Sequence, residues 1–171
     1  MFHFRNTWYN IREETFLKYQ KKITLHKGKG DYMEYKRFEN TIVARLDKGD
    51  EIVSSLEKLC VNENIQLGMV SGLGAVNDVT IGIFNTEEKT YYGRECKGDY
   101  EIASLTGNIT QMNEKPYLHL HITIGNTKTN EIYGGHLTKA LISATGEIFI
   151  TIIPGKVGRE FSKEIGLNLM K

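Results

Sequence analysis

The sequence predicts an α+β fold: one domain with a mostly antiparallel β-sheet and one or two flanking helices. Three observations predict it. Turn signals recur roughly every ten residues, at the spacing of short antiparallel strands. Only one or two segments carry a helical apolar stripe. Strands and helices do not alternate as parallel βαβ units require. The length of 171 residues fits a single domain with a full core.

Residues 1–32 stand apart from the rest. They hold seven Lys/Arg and three Asp/Glu, a net +4, with Trp8, Tyr9, Phe16 and Tyr19 scattered among them. The remaining residues carry a net −3. A basic arm with interleaved aromatics is one reading of this leader. The preferred reading is a disordered or mis-assigned start. Met33 opens a segment leading straight into the first strand, and residues 29–32 can be encoded by a purine-rich, ribosome-binding stretch. His3 and His26 lie in the leader and are not counted as ligands. The domain proper is taken as residues 33–171. Its acidic balance argues against a duplex-DNA binder, whose affinity rests on clustered Lys and Arg.

Residues 41–46 are rich in β-branched side chains and read as a strand. Lys48 and Gly49 break it, and Asp50 is expected to cap a helix reaching Asn62. Ile52, Leu56, Leu59 and Cys60 form the apolar stripe of that helix, so Cys60 reads as a core residue. Residues 65–76 read as a strand ending in a glycine-rich turn at Gly72 and Gly74. No helix follows, so no helix N-terminus is there to hold a phosphate, and no nucleotide cofactor is expected. Residues 79–84, 90–94 and 100–110 read as strands, the last containing Gly107. Pro116 precedes the next strand, a further strand opens at Leu141, and another spans 147–153. Residues 161–169 are expected to close the chain as a short helix.

The sharpest chemical signal lies between Tyr117 and Leu137. Side chains alternate along a strand, so His119, His121 and Thr123 share one face and Leu118, Leu120, Ile122 and Ile124 share the other. Two imidazoles on one face can reach one point. His136 follows Gly134 and Gly135, a pair that lets the backbone approach closely and turn sharply. Three histidines at one point make an open site for a divalent transition metal, zinc first, with a position left for water. A cupin-type site is set aside, because Asn113 stands where its glycine belongs and Glu131 is too far downstream for its glutamate. The bland alternative is a half-exposed polar strand face.

Composition is that of an ordinary globular chain, 40% hydrophobic and 25% charged. Cys60 and Cys96 lack CxxC spacing and read as reduced thiols in a cytoplasmic protein. No apolar run approaches a membrane span and no signal-peptide pattern is visible, so no membrane partner is expected.

The ordered motifs resemble the plants-and-prokaryotes conserved (PPC) domain. They are Ser71-Gly72-Leu73-Gly74-Ala75, the run from Tyr100 to Ile109, His119-Leu120-His121-Ile122, Gly134-Gly135-His136-Leu137 and Thr145-Gly146-Glu147-Ile148. They cover about residues 35–155. The resemblance implies a stand-alone prokaryotic-type domain that assembles as a homotrimer. It also implies a metal ion on the histidines matching His119, His121 and His136. Bacterial members are often called DNA-binding proteins, and plant members add an AT-hook. This chain has no Arg-Gly-Arg-Pro hook. The plant partner-binding run Gly-Arg-Phe-Glu-Ile is here Gly98-Asp99-Tyr100-Glu101-Ile102, which lacks the arginine.

Two functions follow. The first is a trimeric metal-binding protein with a small-molecule ligand at the metal. The second is a DNA-associated or partner-binding module. The balance is against an enzyme, because no nucleophile–base pair is visible. If the metal does chemistry, Glu101 and Glu147 are the candidates for a general acid or base.

Overall fold

A computed structural model describes residues 24–26 and 33–171. Of the leader, the backbone of Thr24–His26 is described as strand β1; the rest of it lies outside the described residues. The order continues with β2 (Glu34–Phe38), β3 (Thr41–Asp47), α1 (Ile52–Asn62), β4 (Gly68–Asn85) and β5 (Thr90–Met112). It ends with β6 (Lys115–Asn126), β7 (Glu131–Ile152), β8 (Arg159–Ser162) and β9 (Leu167–Met170).

The main sheet has seven strands in the order β1-β2-β3-β7-β4-β5-β6, and β7 also pairs with β6. All these pairings are antiparallel. The fold is the mostly antiparallel α+β domain that the sequence predicts, with a single helix among the described residues. The extra pairing comes from the length of β7. Residues 131–136 lie against β6, and residues 136–152 lie against β4. Strands β4, β5, β6 and β7 therefore close into a ring, which hides sheet edges that would otherwise stay unpaired.

Three strands are longer than the sequence suggests. The chain does not leave the sheet at Gly72 and Gly74; β4 runs through them with a register slip, and it slips again between Val76 and Asp78. In the same way β5 joins residues 90–94 to 100–110, and β7 joins His136 to Ile152. Such bulges bend a strand without ending it.

The helix begins one residue later than expected, with Glu51 rather than Asp50 as its cap. The Glu51 carboxylate accepts from the backbone N–H of Val53 (3.0 Å) and Ser54 (2.7 Å). It also accepts from Ala140 N–H at 3.0 Å, tying the helix start to β7. The backbone of Asp50 is already committed, its carbonyl accepting from Ile142 N–H, and its side chain accepts from Asp47 N–H. The chain therefore stays extended through Glu51. Ile52, Leu56, Leu59 and Cys60 are buried on the sheet side of α1, as their spacing predicts.

Residues 161–169 form no helix. They belong to the hairpin β8–β9, paired from Arg159 opposite Met170 to Ser162 opposite Leu167. Its turn closes on Ser162, whose carbonyl accepts from Gly166 N–H, with Gly166 at φ +88°, a conformation that suits glycine. No helix among the described residues is long and apolar enough to cross a membrane.

Candidate metal centre

Leu120, Ile122 and Ile124 of β6 are buried in the core. Alternation then turns His119 and His121 outward. His121 stands directly opposite His136 of β7. The third imidazole is delivered by strand pairing and not by a turn: Gly134 and Gly135 lie inside β7, opposite Thr123 and Ile122. Gly135 is needed for another reason. A Cβ there would lie 2.8 Å from the carbonyl oxygen of Gly82, so only glycine lets β4 come this close beside His136. Gly107 lies in β5 opposite Leu120.

The three rings face one another, with centroids 5.2 Å apart for His119–His121, 5.2 Å for His119–His136 and 5.6 Å for His121–His136. One ligand atom from each lies within 4.8 Å of the other two, a group that can hold a metal ion. Nitrogens bound to one tetrahedral cation at about 2.0–2.1 Å stand roughly 3.3 Å apart, a gap side-chain rotation can close. The donors suit such an ion chemically as well. Burial, then the charges of Arg159 and His121, lowers the pKa of His119. Burial, then His119 and His121, lowers that of His136. Both effects favour the neutral imidazole, the form that offers a lone pair.

The histidines line a cavity of about 910 Å³ together with Tyr91, Tyr117, Arg94 and Arg159. Tyr91 meets His136 edge-on, at 5.7 Å between ring centroids. Leu167, Leu169 and Met170 of β9 supply an apolar wall. Among the described residues no Asp or Glu lines the cavity. Glu101 is exposed in β5 opposite Gly125, and Glu147 is exposed in β7 opposite Arg45. The structure brings neither to the imidazoles. Thr106 faces His121 across the ladder, and Glu101 lies five positions back along β5, about 17 Å away.

Cys60 and Cys96 are free and buried. Burial pushes the Cys60 thiol up to about 12, which suits a core residue and not a nucleophile. Arg159 was not legible as a site residue: it comes 38 positions after His121, in a stretch without a motif.

The model of the Plants and Prokaryotes Conserved (PCC) domain matches residues 33–154. The chain belongs to this family. A putative DNA binding protein from Bacteroides thetaiotaomicron is 33% identical, with 82% of this chain and 98% of that one covered at a TM-score of 0.79. The metal-containing protein AF0104 from Archaeoglobus fulgidus is 30% identical, with 87% and 97% covered at a TM-score of 0.73. A plant- and prokaryote-conserved (PPC) protein from Pyrococcus horikoshii is 28% identical, with 85% and 97% covered at a TM-score of 0.71. None of the curated proteins matches the sequence. The PCC match stops before the β8–β9 hairpin, so Arg159 and the β9 wall of the cavity lie beyond it.

Proposed function

We propose that this PCC-domain chain is a homotrimeric, cytoplasmic metal-binding protein that holds a divalent transition metal, zinc first, on His119, His121 and His136. The convergence of three outward imidazoles carries the reading. Bound there, the cation would act as a Lewis acid toward a small ligand in the cavity. No proton-transfer step is assigned to Glu101 or Glu147. The archaeal relative's description as metal-containing supports the same reading.

The contact proposed for the trimer is a face of the sheet. Met69, Leu73 and Phe149 are 59%, 55% and 47% exposed, and they are neighbours: Phe149 stands opposite Ser71, between Met69 and Leu73. A cluster of large apolar side chains on one sheet face is the usual mark of a contact between copies. The row His121–Thr106–Ser71–Phe149 crosses four strands on that same face. The histidines thus sit at the margin of the proposed contact.

Metal content of the purified protein, wild type against His121→Ala, tests the metal. Bound metal is expected in the wild type only; equal metal in both would end the reading. DNA association is the second reading, supported by the Bacteroides relative's description and by the basic leader. It predicts steeply salt-dependent binding that disappears on removal of residues 1–32.

A further inference from the structure

We infer that the cavity beside the histidines takes a small organic carboxylate with an apolar body, and that Arg159 grips its head. The inference deepens the metal reading, because the ligand would lie between Arg159 and the three imidazoles.

The sign of the cavity is the first observation. Arg94 and Arg159 line it with the three histidines, and among the described residues no carboxylate does. A bound divalent cation on neutral imidazoles would make it more positive still, and anions concentrate in such clefts.

Arg159 is the second. Its Nε donates to Thr110 Oγ1 at 2.7 Å, Nη1 to the Asn168 carbonyl at 2.8 Å and Nη2 to Asn108 Oδ1 at 3.0 Å. The guanidinium also stacks on Tyr117, 4.6 Å from the ring centroid. These contacts pin the hairpin to β5 and fix the guanidinium in place. Every one of those partners is neutral. Among the described residues no ion pair includes Arg159. A guanidinium has five N–H groups, so one on each terminal nitrogen remains for a ligand. Two such donors on one guanidinium, held in advance of binding, suit a carboxylate.

The walls give the rest of the ligand. Ile83, Leu169 and Met170 are 72%, 43% and 53% exposed and line the same space. An inorganic ion would leave them wet, whereas an aryl or short alkyl body would cover them. The volume of about 910 Å³ admits a molecule of that kind.

Calorimetric titration of the full chain, metal-free and zinc-loaded, tests this with three probes: benzoate, its neutral shape analogue benzyl alcohol, and inorganic phosphate. Benzoate is expected to bind roughly tenfold or more tighter than benzyl alcohol, and tighter than phosphate. Arg159→Gln should remove the preference for benzoate over benzyl alcohol, Arg159→Lys should keep part of it, and zinc content should be the same in all three proteins. Equal binding of benzoate and benzyl alcohol by the wild type would overturn the inference, whether or not the variants fold. So would a folded Arg159→Gln protein that keeps the preference, or phosphate binding as tightly as benzoate. A wild type that takes up no zinc would sink the metal reading instead, and the metal-free comparison would still judge Arg159.

Discussion

His121 stands directly opposite His136 across the β6–β7 ladder, their ring centroids 5.6 Å apart. The site is therefore built on two paired strands, with His119 two residues along β6 as the third corner. On the proposed reading each imidazole is one of three protein ligands, so each should matter about equally. Replacing His119, His121 or His136 singly with alanine is expected to weaken zinc binding by more than roughly 100-fold, the upper end of what an outer-shell partner costs. The fold should survive, because His121 is exposed and the other two only half-buried. Competition against a chelator, with circular dichroism as the folding control, measures both. Retained affinity in any one variant would remove that residue from the site.

The same imidazoles should make the metal-free protein sensitive to mild acid. His119 and His136 are held below the ordinary value of 6.5, chiefly by burial. Between the lowered values and 6.5 the unfolded chain then binds more protons than the folded one. Stability should be level with respect to these groups above 6.5, fall as pH drops through that window, and level off below it. Urea midpoints at pH 7.5 and 5.5 are expected to show the loss. A His119→Gln, His136→Gln double variant should show less of it. A midpoint that rises on acidification would contradict the assignment.

Gly135→Ala is expected to damage the site without touching a ligand. The new methyl would lie 2.8 Å from the Gly82 carbonyl, and backbone must move to admit it. The movement falls between β4 and β7, next to His136. Overpacking of this kind costs about 1–3 kcal/mol, and zinc affinity should fall with it. Denaturant unfolding and the chelator titration, run on one preparation, would reveal whether both change. A variant matching the wild type in both would mean that the strands are not so close.

The parts legible in the sequence were those set by short-range periodicity. Alternation in β6 placed Leu120, Ile122 and Ile124 inward and the two histidines outward, and the stripe from Ile52 to Cys60 placed the helix. Long-range pairing was not legible. The Gly134–Gly135 pair reads locally as a turn, yet pairing with Thr123 and Ile122 of β6 holds it extended. Glu51 caps α1 because Asp50 is still bonded to Ile142 of β7, a contact 92 positions away. Arg159 entered the site for the same kind of reason: its partners Asn108 and Thr110 lie on a strand some fifty residues earlier.

The exposed apolar face gives the last expectation. Phe149 is 47% exposed, between Met69 and Leu73 across the ladder, while its neighbours Ile148 and Ile150 are fully buried. A charge at position 149 therefore leaves the core alone and acts only on what covers the outer face. Burying an aspartate unpaired against a second copy would cost several kcal/mol, enough to separate subunits at micromolar concentration. Light scattering after size exclusion should give the wild type a mass near three times 19.5 kDa. Phe149→Asp should give a folded species near 19.5 kDa. If the cavity is completed by a neighbouring copy across the row from Phe149 to His121, the same variant should also bind zinc or benzoate more weakly. Unchanged binding in the monomer would place the whole site within one chain, and a wild type that is itself monomeric would remove the contact altogether.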